Sequence, residues 1–140
     1  MNVKATIVAL LLMSTSVKAQ KSFPDALQEI ATVKVFAFGG IGFAGRTSDG
    51  ETDFRIILAQ PRDTALDAFE KLYRADNPQA KAYALAGIYR IDKDAFKSLR
   101  TSWHGSGLTV RTEEGCIVSE ESLQKIADQL NAGKYDAWTK

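Results

Sequence analysis

The segment of residues 40–45, GIGFAG, matches the pattern G-x-G-x-x-G. In dinucleotide-binding folds, these glycines let the N-terminus of the next helix approach a pyrophosphate. Here the segment continues as RTSDG, which does not begin an amphipathic helix, so the context that nucleotide binding requires is missing. The sequence therefore predicts a structural glycine-rich loop and no cofactor.

The glycine-rich loop is also the strongest candidate for a binding surface. Residues 39–50 contain five glycines, which exclude a helix because each interior glycine costs about 1 kcal/mol relative to alanine. The apolar residues of the loop are expected to pack it against the core, with Phe36, Phe38, Ile41 and Phe43 filling that core. The candidate binding residues are Phe38, Gly40, Ile41, Gly42 and Phe43, and a purely structural role is the alternative.

Cys116 and His104 are the only cysteine and the only histidine of the chain, and they are its only weak catalytic candidates. Glu113 and Glu114 precede the thiol and disfavour the reactive thiolate, and two apolar residues follow it. We therefore expect Cys116 to be buried as a small hydrophobic residue. An intermolecular disulfide and a functional thiol paired with His104 are the alternatives, and His104 is otherwise expected in a surface turn.

The sequence contains no recognisable metal site. A single cysteine and a single histidine exclude multi-cysteine and paired-histidine zinc motifs. Asp49, Glu51 and Asp53 alternate as in a calcium loop, but the D-x-D-x-D-G order and the closing glutamate are missing. Acidic residues at this position are explained by the start of a helix.

Residues 1–19 are typical of a secretory signal peptide. Lys4 precedes a short, largely apolar run that ends at Met13, too short for the roughly 20 residues that span a bilayer, and Val17 and Ala19 suit cleavage after Ala19. An N-terminal membrane anchor is the alternative. The sequence predicts a single globular domain over residues 20–140, in the periplasm or secreted, with no membrane span.

The composition excludes several classes of protein. Of 140 residues, 45% are hydrophobic and 25% are charged, with a formal net charge of +1, which is ordinary for one globular domain. The chain is neither disordered nor strongly basic, so no nucleic-acid partner is expected.

Hydrophobic periodicity favours a mainly α, compact helical domain. Helix caps are predicted at Ser48, Asn77, Asp92 and Ser119, each before a face of period 3.6, and Asp63 or Thr64 is expected to cap a further helix. The helix over residues 78–91 is apolar nearly all round and is expected at the centre, with HEAT-like packing in the middle of the domain. Period-two runs over residues 108–112 and 116–118 predict one small β-hairpin beside the packed glycine-rich loop.

The arrangement of FGGIGFAG (residues 38–45), AYALAG (82–87) and GCIVS (115–119) resembles a group of small exported bacterial proteins without an assigned activity. The resemblance implies that the glycine-rich loop and the GCIVS segment belong to one domain, and it transfers no catalytic residue. The favoured function is a non-catalytic interaction module that binds a protein or a cell-envelope component near the glycine-rich loop. The alternative is a small thiol-dependent enzyme or redox factor that uses Cys116 with His104.

Overall fold

The structure is a computed structural model that describes residues 20–102 and 107–140. Within these ranges it contains six helices and two separate antiparallel two-stranded sheets, which confirms a mainly α fold. The predicted hairpin is present between residues 109 and 122, and the glycine-rich segment forms a second, shorter antiparallel pair. The signal peptide and His104 lie outside the described residues.

The elements are α1 (Phe23–Ile30), β1 (Gly40–Ile41), β2 (Arg46–Thr47), α2 (Asp49–Leu58), α3 (Arg62–Tyr73), α4 (Pro78–Ile91), α5 (Lys93–Ser102), β3 (Thr109–Glu114), β4 (Ile117–Ser122) and α6 (Leu123–Asn131).

Three of the predicted helix caps are confirmed. The side chains of Ser48, Asn77 and Asp92 accept hydrogen bonds from backbone N–H groups in the first turns of α2, α4 and α5, at 3.0, 3.0 and 2.9 Å. Each bond satisfies an N–H group that has no partner within its helix. Local sequence signals therefore determine where these helices begin.

Two predicted helix starts are wrong. The last helix does not start at Ser119, because β4 pairs with β3 as far as Ser122, whose hydroxyl accepts the 3.1 Å cap bond of α6. Neither Asp63 nor Thr64 caps α3, which begins after Pro61 without a side-chain cap bond. Proline fixes its φ angle near the value that a helix start requires, so the chain can turn into α3 without a polar cap.

Helix α4 lies at the centre, as its sequence predicts. Nine of its 14 residues are buried, and it packs against α2, α3, α5, α6 and β3. The aromatic ring of Phe69 on α3 occupies the space where a Cβ atom of Gly87 would stand. The absence of a side chain at Gly87 therefore allows α3 and α4 to approach closely.

The start of the domain is tied to α2 through Lys21. Its ammonium group donates hydrogen bonds to Asp53 at 2.6 Å and to Glu29 at 2.7 Å. The hydrogen bond to Asp53, and to a smaller extent the one to Glu29, raise the pKa of Lys21 above its ordinary value. Because the Asp53 side chain is buried, this contact fixes the segment before α1 against α2.

Candidate functional site

The tips of the two hairpins are joined to each other. The backbone N–H of Gly42, in the turn between β1 and β2, donates a 2.8 Å hydrogen bond to the carbonyl oxygen of Gly115, in the turn between β3 and β4. The neighbouring residue Ile41 forms a parallel bridge with Gly115. Two loops that are more than 70 residues apart in the sequence thus form one surface.

Left-handed backbone conformations shape both tips. Gly42 and Gly45 have φ angles of +66° and +61° in the four-residue turn, and Gly115 has +59° at the first position of the two-residue turn. Positive φ at this first position is characteristic of a type II′ hairpin turn, which matches the twist of the flanking strands. The glycines predicted as a structural loop therefore serve as turn residues.

All three large apolar side chains that are strongly exposed in the described residues lie on these tips. Phe43 is fully exposed, Ile117 is 72% exposed and Val118 is 48% exposed. Cys116 is exposed beside them, directly after Gly115. We call this set of four residues, Phe43, Cys116, Ile117 and Val118, the hairpin-tip surface.

Two burial predictions are therefore wrong. Phe43 does not fill the core, because the two flanking glycines turn its segment away from the domain. Cys116 is not a buried hydrophobic residue, because it occupies the second position of a tight turn. Of the candidate binding residues, Phe38 and Ile41 are buried, Gly40 is exposed and Gly42 is half-buried, so Phe43 alone presents a large side chain to solvent.

The segment that leads to the first tip is held by Tyr83 of α4. The buried hydroxyl group of Tyr83 donates a 2.9 Å hydrogen bond to the carbonyl oxygen of Ala37 and accepts a 3.0 Å bond from the N–H of Ala37. Ser48 donates a 3.1 Å bond to the same carbonyl oxygen. Burial raises the pKa of Tyr83 to about 12, so its phenol stays protonated well above neutral pH.

Glu51 binds the backbone of Gly39, two residues further along the same segment. One oxygen of its buried carboxylate accepts a 2.8 Å bond from the N–H of Gly39, and the other accepts a 2.6 Å bond from Arg55. Its own backbone N–H donates to the Ser48 hydroxyl. Ser48 and Glu51 have the spacing of a capping box, but only half of it forms, because the Glu51 carboxylate bonds the loop instead of the N–H of Ser48.

A cleft lies beneath the second hairpin, next to the hairpin-tip surface. Residue 36 lies beside β3: the N–H of Phe36 donates a 2.8 Å bond to Arg111, and the N–H of Glu113 donates a 3.2 Å bond back to Phe36. The cleft has a volume of about 340 Å³. One wall is the inner face of β3–β4, which includes Glu121. The opposite side is an aromatic floor formed by Phe36, Phe38, Tyr135 and Trp138.

The phenylalanine and tyrosine rings of the aromatic floor pack mainly edge to face. The ring centroids of Phe36 and Tyr135 lie 5.4 Å apart, and those of Phe36 and Tyr83 lie 4.8 Å apart. Such pairs contribute about 0.5–1.5 kcal/mol beyond their buried area. The residues after α6 fold back on the core and supply Tyr135 and Trp138.

The chemical groups available at this site are few. No group of three or more histidine, cysteine or carboxylate side chains in residues 20–102 and 107–140 is arranged to hold a metal ion. The exposed thiol of Cys116 lies in a turn that follows two glutamates, and the catalytic pair with His104 falls outside the described residues. What the geometry supplies is an exposed apolar tip beside a concave cleft.

No family model, curated protein or solved structure matches this chain. Among the helices that the structure describes, none is long and apolar enough to cross a membrane.

Sequence reasoning missed the cleft residues Glu121, Tyr135 and Trp138 as site residues. One signal was present in the sequence. Residues 108–122 alternate in a period of two, but polar residues occupy most of the positions that share a face with buried Val110. The face of a strand that packs on a core is normally apolar, so the polar residues on this face were the available signal.

Proposed function

We propose that this protein is a non-catalytic binding module that recognises a partner protein through the hairpin-tip surface. The observation that carries the proposal is that Phe43, Ile117 and Val118 are exposed at two tips joined by a backbone hydrogen bond, with Ile117 on the cleft side of the second hairpin and Val118 on its opposite side. Single exposed apolar residues are ordinary, whereas their grouping in one place is typical of interaction sites. The aromatic ring of Phe43 has the features of a central anchor in such an interface.

The charge of the second hairpin indicates the chemistry of the partner. Residues 109–122 contain one arginine and four glutamates, which gives this hairpin a formal net charge of −3. Two copies of the chain that met through their tips would bring these negative charges together, so charge repulsion disfavours self-association. A partner with an apolar pocket rimmed by lysine or arginine residues complements both the charge and the apolar tips.

The rest of the domain fits the role of a rigid support. We propose that the pair α3–α4, packed in a HEAT-like manner, and the packed glycine-rich segment hold the tips in place. From residues 1–19 we propose that the chain is exported, and that the partner is therefore a periplasmic, cell-envelope or extracellular protein.

The thiol offers a direct test of the proposed function. A photoreactive maleimide attached to Cys116 should crosslink one protein of defined mass in an envelope extract of the source organism. The yield should fall at least about ten-fold in Phe43→Ser, because an anchor of this size contributes about 2 kcal/mol. The free energy of unfolding should stay within about 0.5 kcal/mol, because the Phe43 side chain makes no buried contact.

A matched control places the same probe elsewhere. Cys116→Ser combined with Asp67→Cys moves it to the exposed face of α3, where no product is expected. A product that forms equally from both positions, or that is unaffected by Phe43→Ser, contradicts the proposal. A product with twice the mass of the chain identifies a second copy as the occupant and also contradicts it.

The alternative function, a thiol-dependent enzyme, is favoured by the exposure of Cys116. Exposure alone predicts that the native protein reacts with a thiol reagent within about three-fold of the rate of the unfolded chain. We expect His104→Ala to leave this rate unchanged, because our proposal assigns no role to a thiol–imidazole pair. Stopped-flow labelling measures both rates, and a clearly slower reaction in His104→Ala would support the enzyme instead.

A further inference from the structure

The inner face of the β3–β4 hairpin has the wrong polarity for a face that packs on a core. Val110 is fully buried, but Thr112, Ser119 and Glu121 follow it on the same face. Strands that pack on a core normally present apolar residues there. The cleft of about 340 Å³ beneath these residues lies within the size range of ligand-binding pockets.

Glu121 gives the cleft an unmet demand for a hydrogen-bond donor. Its Oε1 atom accepts a 3.0 Å bond from Lys125, whereas its Oε2 atom is buried and has no hydrogen-bond partner among the described residues. Its side chain is only 17% exposed. A carboxylate oxygen without a donor in such a position is costly, so a ligand that supplies an N–H group would be stabilised.

The carboxylates of Glu114 and Glu121 and the ammonium group of Lys134 belong to residues that line the cleft. Burial, followed by the charges of Glu121 and Glu114, raises the pKa of Tyr135 above its ordinary value. The Tyr135 hydroxyl already donates a 2.8 Å bond to Gln129, so it does not supply the donor that Glu121 lacks.

The chain already places one cation at the rim of the cleft. The ammonium group of Lys134 lies 5.4 Å from the ring centroid of Tyr135 and 3.4 Å from a carboxylate oxygen of Glu114. Both contacts favour a positive charge, the first through the face of the ring and the second through ion pairing. Lys134 thus illustrates the chemistry that the cleft selects.

We propose that this cleft binds the side chain of a basic residue, an arginine in preference to a lysine, that the partner protein inserts beside the hairpin-tip surface. The inference rests on the proposed function and adds the recognised group to it. A planar guanidinium group stacks on the flat rings of Trp138 and Tyr135 and offers several N–H groups to Glu121.

Gly39 packs against the ring of Trp138 at the edge of the cleft. A Cβ atom at Gly39 would stand 3.2 Å from the ring of Trp138, so the backbone itself lies against the indole. The half-buried indole therefore keeps a fixed orientation at the edge of the cleft.

The test uses N-acetyl-arginine methylamide as the probe and its neutral citrulline counterpart as the control. In a Trp103→Phe background, Trp138 is the only tryptophan, so its fluorescence reports binding in the cleft. The arginine probe should bind saturably and at least about ten-fold more tightly than the citrulline probe, because only the guanidinium carries a charge. Equal affinity for the two probes would overturn the inference.

Three variants locate the contact. Glu121→Gln should weaken binding of the arginine probe at least about five-fold, because it removes the charge that the guanidinium pairs with. Glu120→Gln makes the same charge change on the outer face of β4 and should alter binding less than about two-fold. Lys134→Met removes the competing cation and should tighten binding. Equal effects of Glu121→Gln and Glu120→Gln on the affinity for the arginine probe would show that only the overall negative charge of the hairpin attracts it. This result would contradict the inference.

Failure of this inference is distinguishable from failure of the proposed function. If the arginine probe does not bind while Phe43→Ser still abolishes crosslinking from Cys116, the cleft is not the arginine site and the binding module stands. If the probe binds but crosslinking is independent of Phe43, the hairpin-tip surface is not the interface.

Discussion

Replacing Tyr83 by phenylalanine is expected to lower the free energy of unfolding by about 3 kcal/mol, although only one oxygen atom is lost. That oxygen both donates to and accepts from the backbone of Ala37, at 2.9 and 3.0 Å, and Ala37 is buried. Without it, the Ala37 N–H loses its partner in a region closed to water, and a buried donor left in this state is costly. Denaturant unfolding of the purified variant measures the loss.

The pH dependence of stability provides a second readout for the same residue. Because burial raises the pKa of Tyr83 to about 12, the unfolded chain releases this proton first as pH rises above the ordinary value of 10. The stabilisation is therefore complete below pH 10 and is lost as pH rises towards 12. Tyr83→Phe lacks this contribution, so its deficit relative to the wild type should narrow over that range. A deficit below about 1 kcal/mol at neutral pH, or one that stays constant up to pH 12, would contradict this account.

Gly87→Val is expected to destabilise the domain by about 3 kcal/mol, because the new side chain would overlap the ring of Phe69. Both residues are buried between α3 and α4, and neither helix can move without disturbing the core. A helix ordinarily gains stability when glycine is replaced, so a large loss identifies the close approach of the helices as the cause. Thermal and denaturant unfolding measure the effect.

Arg90→Val on the same helix is the control for Gly87→Val. Arg90 is exposed near the end of α4, so this change tests the cost of a β-branched residue without overlap. It should cost less than about 0.7 kcal/mol. Equal effects of the two substitutions would mean that α3 and α4 do not depend on the absence of a side chain at Gly87.

Local signals in the sequence were sufficient for the centre of the fold. Asn77 followed by proline, and Ser48 with Glu51 three residues later, predict the starts of α4 and α2 because cap bonds involve only neighbouring residues. The start of α6 was not predictable in this way. Ser119 and Ser122 are both suitable caps, and the pairing of Ser122 with Thr109 across the hairpin decides between them.

The exposure of the tips could not be read from residue types. Phe43, Ile117 and Val118 are apolar, and apolar residues in a small domain are ordinarily expected in the core. What brings the two tips together is the bond between Gly42 and Gly115, a contact between loops distant in the sequence. The presence of a candidate site near the glycine-rich loop was thus predicted, whereas its second half depended on the tertiary structure.

The cleft depended on tertiary structure for the same reason. Residue 36 pairs with β3, and Tyr135 and Trp138 line the same cleft as Glu121, although these segments are distant in the sequence. An alternating strand pattern identifies which residues share a face, and it does not identify what that face meets. Nothing in the spacing of Glu121 from the aromatic residues indicates that they line one cavity.

The affinity of the partner captured through Cys116 for the wild type and for Phe43→Ser tests the central claim most directly. Titration calorimetry should show a loss of about 30-fold in Phe43→Ser, which corresponds to about 2 kcal/mol, with unfolding unchanged within about 0.5 kcal/mol. Asp67→Ser on the exposed face of α3 should leave the affinity unchanged. Equal affinity of the wild type and Phe43→Ser for that partner would show that the hairpin-tip surface is not where it binds.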